Sequence, residues 1–169
     1  MIQQRERSLL SEYIRLKLQG LQVKQNCPLG IVPESLIIEY GRTQALRVAR
    51  KMRPEVDALV LYPDKLVLIE AKVTRWVDGL AHLVVYKALV PDTPELEPYA
   101  KRPVIMRMVI PFTQENMRSV AQRMGVEIVE FTTPEVDEYL NKELPKYSTQ
   151  EYKRRRAEVL RQRAILGVE

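Results

Sequence analysis

Two runs of β-branched and aliphatic residues, Val56–Leu61 and Leu66–Val73, flank the tetrapeptide Tyr62-Pro63-Asp64-Lys65. Proline presets φ for the second position of a turn, and Asp bonds its own backbone there, so the stretch reads as a β-hairpin. Pro63 disfavours the primed two-residue turns, which points to a four-residue loop. A turn centred between Pro63 and Asp64 puts Asp57 directly opposite Glu70. Side chains alternate along a strand, so Lys72 shares their face with Leu59, Leu61, Leu66 and Leu68. The other face carries Val56, Ala58, Val60, Val67, Ile69, Ala71 and Val73. Apolar residues on both faces predict a hairpin in the middle of a sheet that is covered on both sides.

Facing carboxylates destabilise a sheet, and burial raises the cost. A shared proton, the Lys72 amine or a divalent metal would compensate. Mg²⁺ takes one or two carboxylates plus waters and substrate phosphate, and a neighbouring lysine suits an attacking water or developing phosphate charge. The plainer alternative makes Asp57 a strand-start cap and Glu70–Lys72 a structural ion pair. Three charges gathered at one end of an aliphatic face favour function.

Asp57, then twelve residues, then Glu70-Ala71-Lys72 resembles the signature of the PD-(D/E)xK nuclease superfamily, which includes restriction enzymes and Holliday-junction resolvases. The chain departs from the pattern in placing its proline at Pro54 rather than directly before Asp57. The resemblance implies an α/β fold with an αβββαβ core, a restriction-endonuclease-like mixed sheet flanked by helices. It implies that Asp57 and Glu70, with the Ala71 carbonyl, hold Mg²⁺ or Mn²⁺ and that Lys72 positions or activates water. Some resolvase-like members carry a first-helix glutamate that completes the metal site, a part open to Glu6 or Glu12. The helix after the ExK strand often adds a polar residue, here Tyr86, His82 or Lys87. The alternatives are a solvated helix glutamate and half-buried packing residues.

The 169 residues suit one domain of ordinary size, residues 1–145, followed by a tail, 146–169. The composition fits a soluble globular chain, with 46% hydrophobic and 29% charged residues. No run approaches a membrane span and the start has no signal-like core, so no membrane partner and a cytoplasmic location are expected. A single cysteine, Cys27, excludes an internal disulfide; with the single His82 it leaves no zinc constellation. From Lys146 onward seven basic residues face three acidic ones, a net +4, while 1–145 carries 20 against 19. A basic tail attracts phosphate backbones or an acidic partner.

Periodicity predicts helices over 3–19, 74–90, 113–124 and 134–144, and strands over 21–26, 104–110 and 126–131. Pro91, Pro94, Pro98 and Pro103 mark a loop, and Thr113 begins a partial capping pattern. Residues 35–52 are ambiguous: Leu36-Ile37-Ile38 suits a strand, and 43–52 fits either type. Arg42, Arg47, Arg50, Lys51 and Arg53 bring positive charge to the hairpin entrance. Ser148-Thr149-Gln150-Glu151 matches a capping box, predicting a basic helix from Ser148 to about Leu166. Its Lys153, Arg154, Arg155, Arg156, Arg161 and Arg163 would contact DNA or a protein assembly, a second copy of the chain included. Two classes of function follow: a Mg²⁺-dependent DNA endonuclease, or a non-catalytic connector on a nuclease-like fold. The second class includes phage head-completion proteins and would place the chain in a virion.

Overall fold

A computed structural model describes residues 2–143 and 150–165. It divides into two compact units, 1–131 and 132–169.

The first unit is an α/β fold built on a five-stranded mixed sheet with strand order β1-β2-β3-β4-β5. Its elements run α1 (Ile2–Lys17), β1 (Gln22–Pro28), α2 (Glu34–Ala49), β2 (Glu55–Leu61), β3 (Leu66–Ala71), α3 (Trp76–Leu89), β4 (Val104–Ile110), α4 (Glu115–Met124) and β5 (Val126–Glu130). With α2 as an insertion, α1 to β4 is the αβββαβ order expected. The hairpin pairs Ala58 with Ile69, Leu59 with Leu68, Val60 with Val67 and Leu61 with Leu66. The Tyr62 N–H donates to the Lys65 carbonyl at 3.0 Å, closing the four-residue loop. β1 adds antiparallel to β2, whereas β4 and β5 add parallel beyond β3.

β3 is the middle strand, and all six of its residues are buried. Leu59, Leu61, Leu66 and Leu68 join Leu80 and Leu83 of α3 and Met117 of α4 in the main core. α1 packs on β3 and buries Leu9, Leu10 and Tyr13. Tyr13 bonds Arg107, the cross-strand partner of Ile69, which places α1 over the opposite face. Val67, Ile69 and Ala71 are accordingly inaccessible to solvent. β4 matches its expected span. At the end of α4, Gly125 adopts a left-handed φ of 66° and closes the helix with bonds to Ala121 and Gln122.

The segment before the hairpin differs from expectation. Leu36-Ile37-Ile38 is helical, because the Leu36 and Ile37 N–H groups bond back to the Pro33 carbonyl and satisfy the backbone locally. Gly41, with φ 71° and ψ 158°, kinks α2. Residues 43–49 continue as helix and 50–52 as a 3-10 turn. The basic residues here bring less free charge than the sequence suggests. Arg42 pairs with Glu97, Arg50 with Glu55 and Arg53 with Glu95, leaving Arg47 and Lys51 exposed. The proline-rich loop winds into two 3-10 segments, Val90–Asp92 and Pro94–Tyr99. Thr113 does not cap α4: Gln114 holds that position without a side-chain bond, and the Thr113 hydroxyl donates to Glu130.

The second unit contains α5 (Pro134–Glu143) and α6 (Gln150–Ile165). The Thr133 hydroxyl accepts the Val136 N–H and opens α5. α6 is the basic helix expected, although the Ser148-Thr149 cap lies outside the described residues. Among the described residues, no helix is long and apolar enough to cross a membrane.

Candidate active site at the open end of the β2–β3 hairpin

The hairpin ladder stops at Ala58–Ile69. One step further, where Asp57 faces Glu70, a side chain replaces the backbone bond: Asp57 Oδ2 accepts the Ala71 N–H at 2.9 Å. The carboxylate thus takes the place of a ladder bond and is anchored to β3. The next peptide is fixed from the other side, because the Lys72 N–H donates to the Val109 carbonyl of β4 at 2.9 Å. The Ala71–Lys72 peptide is trans, so the Ala71 carbonyl opposes that N–H and points towards β2.

Glu70 is 2% exposed, and among the described residues its side chain is held through one oxygen. Lys72 Nζ and His82 Nδ1 both lie 2.9 Å from its Oε1. Its Oε2 is buried and, among the described residues, has no hydrogen-bond partner. Burial, and then the Asp57 charge, push the Glu70 carboxyl above its ordinary range. Burial works to lower the Lys72 amine, but Glu70, Glu6 and Asp57 outweigh it and hold the amine up. Lys72 is therefore a cation in this arrangement.

Of the two first-helix glutamates, Glu6 reaches the site. Its Oε1 accepts the Val73 N–H at 3.3 Å, and its Oε2 lies 3.9 Å from Lys72 Nζ. Burial raises its carboxyl, with Lys72 opposing. Glu12 lies away from the site and pairs with Arg15 on the exposed side of α1 at 2.7 Å. On α3, His82 reaches Glu70 and stands 5.8 Å from the Tyr86 ring. Tyr86 is buried in the core; burial, then Glu70 and Asp57, push its phenol up. Lys87 is exposed. In α6, Arg154 and Arg161 are exposed, and Arg163 donates to the Thr132 carbonyl at 3.3 Å. Arg156 is half-buried and its Nε has no hydrogen-bond partner among the described residues, and the side chains of Lys153 and Arg155 lie outside that set.

Gly79 carries a role that periodicity does not reveal. A Cβ there would lie 2.9 Å from both Lys72 Cγ and Met108 Sδ and 3.7 Å from Glu70 Cγ. The missing side chain is what lets α3 rest directly on the charged end of β3. The signal available in the sequence is a glycine inside an otherwise regular helical pattern, which costs about 1 kcal/mol against alanine unless packing needs it. Gly79→Ala recovers that propensity but overpacks the site, at about 1–3 kcal/mol. A net fall in stability is expected in thermal unfolding; an equal or higher Tm would mean that α3 can lift away freely.

Among the described residues, no three of His, Cys, Asp and Glu are gathered to hold a metal by themselves. Two carboxylates and a carbonyl nevertheless fit a magnesium-type ion, which retains waters and substrate oxygens as its other ligands. The orphaned Glu70 Oε2 is a donor of the required kind in a place where it is otherwise costly. A cleft of about 690 Å³, with Glu6, Asp57 and Lys72 in its lining, leads to this end of the hairpin.

No protein-family model and no curated protein matches the chain. Among solved structures, a repair endonuclease from Pyrococcus abyssi is similar at 16% identity and a TM-score of 0.47, over 78% of this chain and 47% of that one. The EndoMS–dsDNA2 complex is similar at 17% identity and a TM-score of 0.40, over 75% of this chain and 45% of that one. The chain thus spans about half the length of either structure.

Proposed function

We propose that the chain is a metal-dependent DNA nuclease of the PD-(D/E)xK type. The observation that carries this reading is the half-satisfied Glu70: Oε1 is fixed by Lys72 and His82, while the buried Oε2 has no hydrogen-bond partner among the described residues. A structural ion-pair network gains nothing from leaving one oxygen of a buried carboxylate bare.

In this reading Asp57, Glu70 and the Ala71 carbonyl hold Mg²⁺ or Mn²⁺. When bound, such an ion supplies Lewis-acid stabilisation of the charge that builds on the phosphoryl group. The chain does the rest. Asp57 holds the Ala71 N–H and β4 holds the Lys72 N–H, so these backbone atoms are set before substrate arrives. His82 fixes the rotation of the Glu70 carboxylate. Lys72, kept cationic by its three acidic neighbours, donates to the attacking water and to the phosphate oxygen. Its charge suits orientation and electrostatic stabilisation rather than proton abstraction. Glu6 steadies the amine from the α1 side.

The test is cleavage of duplex, branched and single-stranded DNA with Mg²⁺ or Mn²⁺, read beside thermal unfolding. An ion that binds only the native state stabilises it by mass action, about 2.7 kcal/mol at a hundred times its dissociation constant. The wild-type Tm should therefore rise with metal. Without metal, Asp57→Asn should be more stable than wild type, since one of two neighbouring charges is gone and an oxygen remains for the Ala71 N–H. That variant should ignore metal and cut nothing. A wild type that cuts no DNA and does not respond to either ion would sink the reading. It would leave the connector alternative, in which Glu70, Lys72 and His82 are simply a structural network.

A further inference from the structure

The cleft above Asp57 and Lys72 has a second wall that the metal chemistry does not use. Gln3, Arg7 and Ser11 of α1 face it, together with Gln25 and Asn26 of β1. Its volume of about 690 Å³ lies within the range of small-ligand sites, roughly 300–1,000 Å³. The charges in its lining are balanced in kind but not in commitment. Glu6, Glu55 and Asp57 are the acids, and Arg7, Arg50 and Lys72 the bases. Lys72 is held by Glu70 and Glu6, and Arg50 by Glu55. Among the described residues Arg7 has no acidic partner, and it is exposed at the cleft. A polyanion approaching three carboxylates needs a cation free to meet it.

Asn26 supplies an independent observation. The β1–β2 register pairs Gln25 with Ala58 and Cys27 with Val56, so Asn26 is the residue directly across from Asp57. Among the described residues it is the one non-glycine at positive φ, 49°. That left-handed conformation costs an L-residue about 1–2 kcal/mol, less for Asn, and glycine would adopt it freely. The Asn26 carbonyl accepts a bond from Arg50 at 3.0 Å, which holds the turned backbone in place. The strand thus leaves its extended conformation at the position across from the candidate metal ligand, and Asn26, exposed in the cleft lining, presents there a side chain able both to donate and to accept.

We infer that Arg7 and Asn26 form a backbone-gripping wall for a nucleic-acid strand, with Arg7 on a phosphodiester oxygen and the Asn26 amide on the same strand. This inference rests on the nucleic-acid reading of the Asp57–Glu70–Lys72 site. Arg7 acts as a charge on phosphate and carries no base preference, whereas Asn26 is a neutral contact kept at a conformational cost.

The test uses the full chain and labelled duplex DNA in EDTA, with affinity measured across a range of KCl concentrations. Arg7→Gln should weaken binding and flatten the log–log salt slope by about 0.9, the value of one phosphate contact. Lys17→Gln, which removes an exposed cation at the far end of α1, should change neither. Asn26→Gly should raise the Tm yet weaken binding, with the slope unchanged. An Arg7→Gln affinity and slope equal to wild type would overturn the inference, as would a wild type that binds no DNA. Equal losses in Arg7→Gln and Lys17→Gln would also overturn it, since diffuse charge would then explain both. Asn26→Gly binding as tightly as wild type would remove Asn26 from the wall. DNA binding that depends on Arg7 in a protein that never cuts would fail the nuclease reading and leave the grip standing. Normal metal-dependent cutting with Arg7-independent binding would fail the grip alone.

Discussion

Lys72→Ala should reduce metal-dependent DNA cleavage by roughly 10²–10³-fold, the usual cost of removing one preorganised charge-stabilising donor. The amine is positioned from several sides. Glu70 Oε1 lies 2.9 Å away, Glu6 3.9 Å away, and the Lys72 N–H is bonded to β4. Gly79 leaves room for its stem. Little of its reach is therefore left to chance, and Lys72→Arg, with a longer and planar head, should recover only part of the rate. Single-turnover cleavage at saturating DNA separates this effect from weakened binding. Circular dichroism checks that the buried Glu70, left with His82 as its one partner, has not unfolded the chain. Cleavage by Lys72→Ala within a few-fold of wild type would remove Lys72 from the chemistry.

Glu95→Ala should cost about 3–5 kcal/mol of stability, because it strips a buried charge of its counter-ion. The Arg53 side chain is 4% exposed. Its guanidinium grips Glu95 with both terminal nitrogens and donates to the Gly30 carbonyl at 3.0 Å. Gly30 is tied on its other side, its N–H donating to the Thr93 hydroxyl at 2.8 Å. One arginine thus joins the end of β1, the proline-rich segment and the chain just before β2. Urea denaturation of Glu95→Ala, Arg53→Met and the double variant Arg53→Met/Glu95→Leu gives the coupling. The double variant should recover most of the loss, since apolar replacement of a buried pair is often neutral. If Glu95→Ala costs under about 1 kcal/mol, the pair behaves as a surface ion pair.

Acid should act in the same direction. Burial works to raise the Glu95 carboxyl, but the Arg53 hydrogen bonds outweigh it and hold it below its ordinary range. A depressed carboxyl contributes stability that is present above its unfolded pKa and lost as pH falls through the folded one. Wild type should therefore lose stability towards Glu95→Ala at the acid end, in unfolding followed against pH.

The hairpin was legible in the sequence because its cause is local. Two runs apolar on both faces, interrupted by Tyr62-Pro63-Asp64-Lys65, call for a hairpin covered on both sides, and a four-residue loop over that tetrapeptide sets the register that brings Asp57 opposite Glu70. The helices α1, α3 and α4 and the strands β4 and β5 follow from periodicities just as local. The rest was decided by contacts that periodicity does not display, some of them local and most between residues distant in sequence. Leu36-Ile37-Ile38 has strand-like composition, yet its N–H groups found the Pro33 carbonyl, and β propensity loses where a local acceptor is at hand. Five basic residues near the hairpin look alike in the sequence. Which of them are neutralised depends on Glu55, Glu95 and Glu97 arriving from up to 55 residues away. Glu6 and Glu12 are both helix glutamates near an apolar stripe. They differ because α1 crosses β3 with its first turns over Lys72 and Val73, leaving Glu12 to Arg15. Gly79 and Asn26 carry no chemical signature of their own. The need for a bare Cα on the β3-facing side of α3 and for a turned residue across from Asp57 arises only once the strands and helix are packed together. Sequence determined which charges share a face, and tertiary packing decided which of them are buried, which are paired and which remain free to meet a ligand.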